Sequence, residues 1–193
     1  RLCVNMPPQH SKSSLITIAY TVWLILQNPN RKILVINAEA GLSETFGIQI
    51  RDLMERLNGL KGITISNVKS SSTYIMFNKN GRLQQGHIRL VGSKCSITGH
   101  PEDIIIVDDP YKGIEDTTPT LLQKKIDWFT TIVEQRVRPS TKVIILHTRW
   151  HSNDLTGYLL ENESHKYDFI SFPAIDEEDN VLWPQYYSLD FYL

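Results

Sequence analysis

The chain has 193 residues, 41% hydrophobic and 21% charged, with a net charge of −1. That composition suits one globular domain with a full core, and it excludes a low-complexity or disordered chain. No apolar run approaches the ~18 residues of a membrane span, and the N-terminus lacks a signal-peptide pattern.

Charge is unevenly spread. Residues 1–101 hold 12 Lys/Arg against 4 Asp/Glu, a balance of +8, while residues 102–193 hold 8 against 17, a balance of −9. From Arg56 to Pro101 come Arg56, Lys61, Lys69, Lys79, Arg82, Arg89 and Lys94 with no carboxylate among them. Two readings fit: a surface for a polyanion, or a solvated face balanced in space by the acidic half. Cys3 and Cys95 lack metal-ligand spacing and read as buried thiols of a reducing compartment.

In chain order, Arg1–Asn5 reads as a strand that the chain enters directly, without an initial Met. This suggests a fragment with sequence before Arg1. Met6 to Ser14 (MPPQHSKSS) separates that strand from a helix over Ser13–Gln27. Strand, loop and helix in this order suit a phosphate-binding loop, whose N–H groups hold a polyphosphate at a helix N-terminus. Lys12 then reaches the β/γ-phosphates and the Ser13 hydroxyl ligates Mg²⁺. Met6 and Ser11 stand where the two glycines of the usual motif belong, and Ser11 costs ~1 kcal/mol if its φ is positive. The helix carries Leu15, Ala19, Val22 and Leu26, with Ile16 and Trp23 on the adjacent stripe, and reads as buried all round.

Lys32–Asn37 is a continuous apolar strand, as in a parallel sheet covered on both faces. Leu42, Phe46, Ile50, Leu53 and Leu57 form a helical stripe, stopped at Gly59. Tyr74–Phe77 and His87–Val91, joined through Asn80-Gly81, form a hairpin. Asp103–Asp108 is a buried strand running into Asp108-Asp109-Pro110. This is the form of a Walker B strand, which delivers acids at its C-terminal end, where open α/β sheets bind ligands. Asp108 would hold Mg²⁺, and Asp109 would orient and deprotonate a water; alternatively, the pair is a strand ending in an Asp-Pro turn.

Thr118-Pro119 starts a helix as N-cap and N1, with a stripe of Leu122, Ile126, Phe129, Val133 and Val137. Lys142–His147 is a further strand, followed by Thr148-Arg149-Trp150-His151, and Phe169–Phe172 is the last. Strands alternating with helices predict a mainly parallel α/β sheet with right-handed crossovers, plus the β-hairpin. Asp176 to Asp179 reads as a solvated acidic loop, and Trp128, Phe129 and Trp150 as core.

Three motifs together carry a resemblance: Pro7-Pro8-x-His10-x-Lys12-Ser13, the apolar strand with Asp108-Asp109-Pro110, and Thr148-Arg149-Trp150-His151-x-x-Asp154-Leu155. In order and spacing they resemble the ATPase domain of bacteriophage terminase large subunits. Phe172-Pro173-Ala174-Ile175 and Leu182-Trp183-Pro184 resemble the end of that domain. The likeness implies a RecA-like P-loop NTPase that uses ATP and Mg²⁺ to pump double-stranded DNA into a capsid. It implies a ring on the portal protein, help from a terminase small subunit, and work in the host cytoplasm on the procapsid, with no membrane; because neither Gln9 nor His100 supplies a guanidinium, the isolated chain is expected to be a monomer. It also implies an ATPase core at 1–173, a linker at 174–193 and a nuclease domain beyond. An adenine-contacting segment would precede Arg1.

Carried over by residue, the nucleotide lies against Pro8, Gln9, His10, Ser11, Lys12, Ser13, Ser14 and Thr148, and the metal at Ser13 and Asp108. Catalysis falls to Lys12, Asp109 and Arg149, with Thr148 and Arg149 in the coupling motif. Lys69, Lys79 and Arg82 are DNA-contact candidates. Relatives often have Arg and Gly where Gln9 and Ser11 stand, and Arg where His100 stands, so the arginine finger is unassigned. Another nucleic-acid translocase and a degenerate nucleotide-binding module are the alternative readings.

Overall fold

The computed structural model describes residues 1–68, 70–95, 97 and 101–192. An eight-stranded sheet of order β3-β4-β5-β2-β6-β7-β1-β8 forms the centre. Its strands are β1 (Leu2–Asn5), β2 (Lys32–Asn37), β3 (Ile63–Ile65), β4 (Tyr74–Lys79), β5 (Arg82–Gly92), β6 (Ile104–Asp108), β7 (Lys142–His147) and β8 (Asp168–Ser171). From β5 to β8 all neighbours are parallel, and only the β3-β4-β5 edge is antiparallel.

Period-two alternation explains why the central strands are apolar throughout. Ile33, Val35, Ile104 and Ile106 point to one face, and Leu34, Ile36, Ile105 and Val107 to the other. The first face packs on helix α1, which makes wide π-type turns over Ser13–Tyr20 and α-turns over Thr21–Gln27, and on α2 (Ala40–Arg56). The second packs on α3 (Pro119–Trp128, extended by a wide turn over Phe129–Val133) and α4 (Leu155–Asn162). Each such side chain, fully buried, contributes roughly 1.5–3 kcal/mol.

The predicted α/β class and parallel sheet are present, with local corrections. Helix α1 is not buried all round: Leu15 is 57% and Trp23 51% exposed, and Ala19 is exposed with them. In α2 the buried line is Ser43, Gly47, Ile50 and Met54, while Leu42 faces outward. The small residues allow close approach, since a Cβ on Gly47 would lie 1.6 Å from the Ser72 carbonyl oxygen. Thr118 caps α3 through its backbone carbonyl, which accepts from Leu121 and Leu122 N–H, and its hydroxyl makes no cap bond. Val137 lies beyond the helix in extended backbone. Cys95 is exposed in a turn after β5, whereas Cys3 is buried. Strand β3 and helix α4 are additional to the predicted elements. No helix among the described residues is long and apolar enough to cross a membrane.

Candidate functional site

Parallel register brings the chemistry to one edge. Asn5 pairs with His147 and Asp108 with Leu146, so β1, β6 and β7 end together. The loop after β1, Asp109 after β6 and Thr148 after β7 therefore meet at the C-terminal rim.

In the loop, Gln9 and Ser11 both take positive φ, 60° and 59°. Serine thus occupies the left-handed backbone usually given to glycine, at a cost of roughly 1 kcal/mol. The Ser11 carbonyl accepts from Leu15 N at 2.9 Å and closes the first helical turn. His10 is buried; its Nδ1 donates to the Pro8 carbonyl (2.7 Å) and its Nε2 accepts from the Tyr192 hydroxyl (3.1 Å). Pro8, Gln9 and Ser14 are exposed along the loop and helix start.

Lys12 and Asp109 form an ion pair at 2.6 Å, with the lysine side chain only 8% exposed. Asp109 has φ 44°, and its carboxylate accepts from Thr148 N–H at 2.7 Å and from the Thr148 hydroxyl at 3.4 Å. Asp108 accepts from Ser13 Oγ at 3.1 Å and from Thr17 Oγ1 at 2.6 Å. Burial pushes its carboxyl up to about 6; the Thr17 bond opposes this, Asp109 adds to it, and Ser13 and Lys12 oppose it. Thr17 is absent from the sequence reading. Its signal is position i+4 from Ser13, on the same helix face.

Arg149 sits against its own loop. Its Nε donates to Asp154 (2.9 Å), and its Nη2 donates to the His151 and Ser152 carbonyls. Asp154 caps α4 by accepting from Gly157 N–H. Below this loop, Thr156 Oγ1 donates to Asn5 Oδ1 (3.0 Å) and accepts from His147 Nδ1 (2.8 Å). The fold thus gathers Lys12, Ser13, Asp108, Asp109 and Thr148 within direct contact, and fixes Arg149 beside them through Asp154.

The DNA-contact candidates lie elsewhere. Lys79 and Arg82 pair at the exposed tip of the β4–β5 hairpin, where β5 begins, at the opposite edge of the sheet from the loop. Lys69 and His100 fall outside the described residues. Two members of the basic stretch are paired, Arg56 with Asp52 and Arg89 with the buried Glu102.

No family model matches the chain. Among solved structures, the Thermus phage P74-26 large terminase ATPase domain aligns over 96% of this chain and 78% of its own, with TM-score 0.67 and 12% identity. The HK97 bacteriophage large terminase aligns over 91% and 36%, with TM-score 0.62 and 14% identity. Among curated proteins, the terminase large subunit of Enterobacteria phage T3 is 27% identical over 170 residues, covering 84% of this chain. The fold is that of a phage large-terminase ATPase domain. A terminase structure from a thermophilic bacteriophage, in complex with ATP-gamma-S, has the same fold at TM-score 0.58 and 10% identity, over 97% of this chain and 44% of its own. The chain spans 28% of the length of the T3 terminase. The terminase likeness therefore covers nearly all of this chain and a minor part of the curated relative.

Proposed function

We propose that this chain is the ATP-hydrolysing motor domain of a viral DNA-packaging terminase, with 1–173 as the ATPase core and 174–193 as a linker. The observation that carries it is the convergence of Lys12, Ser13, Asp108 and Asp109 on one rim, in the order that hydrolysis of a polyphosphate needs. Lys12 exchanges the Asp109 carboxylate for β/γ-phosphate oxygens and stabilises their charge. Asp109, still held by Thr148, then accepts a proton from the water that attacks the γ-phosphorus, and ADP leaves as phosphate forms.

The donor set at Asp108 fits Mg²⁺. That ion takes hard oxygen ligands from one or two carboxylates, keeps several waters and binds the remainder through phosphate. Asp108 with the Ser13 hydroxyl offers such a set, and among the described residues no cluster of three or more His, Cys, Asp or Glu competes with it. When bound, the ion would neutralise charge on the phosphate oxygens.

In this reading double-stranded DNA is the track. The Lys79 and Arg82 hairpin tip contacts phosphates without reading sequence. A ring of copies assembles on the portal protein with the terminase small subunit, in the host cytoplasm on the procapsid. Arg149, locked to Asp154, relays the state of Thr148 to α4.

Phosphate release with and without DNA tests the reading against its alternatives. Lys12→Ala is expected to weaken ATP binding. Asp109→Asn is expected to bind ATP and lose turnover by ~10²–10⁴-fold. Near-normal hydrolysis by Asp109→Asn removes that residue from the chemistry, and absence of hydrolysis in every assembly state favours a degenerate module.

A further inference from the structure

The two ends of the sheet carry opposite charge. The stretch from Arg56 to Pro101, which supplies β3, β4 and β5, holds seven Lys/Arg and no carboxylate. Residues 168–193, which supply β8 and the segment after it, hold Asp168, Asp176, Glu177, Glu178, Asp179 and Asp190 and no Lys or Arg. The strand order sets these two stretches at opposite edges.

On the basic side a cavity of about 750 Å³ opens at the C-terminal rim. Ala38 follows β2, Lys94 follows β5 and Lys112 follows β6, and α3 closes the other side with Lys124, Lys125 and Trp128. Glu115 and Asp116 also line it, but Asp116 accepts from the Lys112 backbone N–H, and the Lys112 side chain pairs with Glu39. Among the described residues no ion pair engages Lys94, Lys124 or Lys125. The Lys125 ammonium instead lies 5.8 Å from the Tyr111 ring centroid and 5.7 Å from that of Trp128, which fixes it in the wall.

On the acidic side, the chain leaves β8 at the same rim and folds into a tight turn closed by the Ile175–Val181 bridge. Asp176 is used inside that turn, where it accepts from the Glu178 and Asn180 backbone N–H groups and from the Asn180 amide. Glu177, Glu178 and Asp179 are left exposed on it.

We infer that the acidic turn of one copy docks in the lysine cavity of the next, in a contact repeated head to tail. The inference rests on the ring reading and names the surfaces that make the ring. The two patches differ and sit on opposite sides of one molecule, so the contact is heterologous and propagates into a ring or a filament. A face-to-face dimer would set like charge against like, which costs affinity. The acids Glu115 and Asp116 and the apolar Leu121 and Trp128 in the cavity suit a protein surface better than a phosphate backbone.

Oxidative cross-linking of the whole chain tests this, and it traps contacts too brief to hold a ring in isolation. Cys95 is exposed beside Lys94 and Cys3 is buried, so Glu177→Cys puts the partner thiol on the acidic turn. With copper phenanthroline at low salt, Glu177→Cys is expected to give dimers, trimers and larger products on a non-reducing gel, because each copy carries both halves. Adding Cys95→Ser is expected to stop the series at dimers. Lys124→Glu in the Glu177→Cys background is expected to slow cross-linking roughly five- to tenfold, and adding Glu178→Lys recovers most of the rate. Salt at about 0.5 M slows it similarly. Absence of products beyond dimers, a series that persists after Cys95→Ser, or a rate that ignores Lys124→Glu overturns the contact. Weaker duplex-DNA binding by Lys124→Glu with unchanged cross-linking assigns the cavity to nucleic acid and overturns it as well. No nucleotide is present, so failure here leaves the hydrolysis reading standing. A full series from a chain that hydrolyses no ATP supports the contact and removes that reading.

Discussion

His147, fully buried at the end of β7, makes stability depend on pH in a way that the structure sizes. Burial pushes its pKa down to about 4; Asp154 and Asp109 pull it up, and Arg149 and Lys12 push it down. The neutral ring donates from Nδ1 to Thr156, which in turn holds Asn5 beneath the phosphate loop. An unfolded histidine titrates near 6.5, so on acidification the unfolded chain takes up a proton that the folded chain refuses. The stabilisation is complete above the unfolded pKa and is lost as pH falls from there toward the folded value. Between pH 7 and pH 5 the loss from this one group is roughly 2 kcal/mol.

His147→Asn isolates that contribution. The amide keeps an N–H near the position of Nδ1 and does not titrate in this range. Urea unfolding of both proteins at a series of pH values from 7 to 5 measures the difference. The wild type is expected to lose roughly 2 kcal/mol more than the variant over that range, whatever the variant's starting stability. Parallel pH profiles would show that His147 is charged in the fold or exposed to water, and the argument from burial would fail.

Thr17→Val removes the hydroxyl that bonds Asp108 and should raise the carboxyl pKa further; in the proposed motor it raises the Mg²⁺ concentration needed for half-maximal turnover several-fold, measured by phosphate release. A hydrogen bond to a charged group contributes about 1.5–3 kcal/mol, and an unchanged Mg²⁺ requirement would show that Thr17 only packs. Ser11→Gly relieves the left-handed φ and is expected to stabilise the chain by up to about 1 kcal/mol in chemical denaturation. Destabilisation instead would mean that the serine side chain makes a compensating bond.

Much of the fold is legible because its strands are buried on both faces. Lys32–Asn37 and Lys142–His147 are continuous apolar runs and match the strand bounds residue for residue. Helical stripes were harder to place. In α2 the stripe of large residues misplaces only Leu42: Ile50 is buried and Phe46, Leu53 and Leu57 pack against the core, while the small Ser43 and Gly47 give no apolar signal for their share of the buried face, Gly47 against the Ser72 carbonyl. In α1 the largely apolar surface hides a distinction between residues facing the sheet, such as Ile18, Val22 and Ile25, and residues left exposed, such as Leu15, Ala19 and Trp23. Helix α4 was missed because eight residues carry little periodicity, although Asp154 before Leu155 is a usable N-cap signal. The candidate site was legible from its strand, loop and helix context; Thr17 was not, because a threonine within an apolar helix reads as filler. The ion pair between Lys12 and Asp109 depends on a strand register that no local pattern reveals.

The sheet also sorts the cations that a ring could use between subunits. The proposed hydrolysis develops charge on γ-phosphate oxygens, and a guanidinium or ammonium supplied by a neighbour can be worth ~10³–10⁵ in rate. Arg89 is paired with a carboxylate only 2% exposed, and withdrawing it would strand that charge in the core. Arg136 and Arg138 precede β7, at the edge of the sheet away from the phosphate loop. Arg149 is held by Asp154 within its own loop. Lys94 is exposed just after β5, on the same rim as Lys12, beside a cavity it shares with Lys112, Lys124 and Lys125. Unlike Arg89, Arg136, Arg138 and Arg149, Lys94 therefore has both the exposure and the edge that a contribution to a neighbour requires. Lys94→Ala is expected to be inactive in assembled rings, and mixing it with Lys12→Ala is expected to restore part of the activity, because mixed interfaces pair an intact loop with an intact Lys94. Phosphate release measured across mixing ratios reads this directly. Activity that falls linearly to zero with no recovery at any ratio, or a Lys94→Ala protein as active as wild type at every concentration, would place the cation elsewhere.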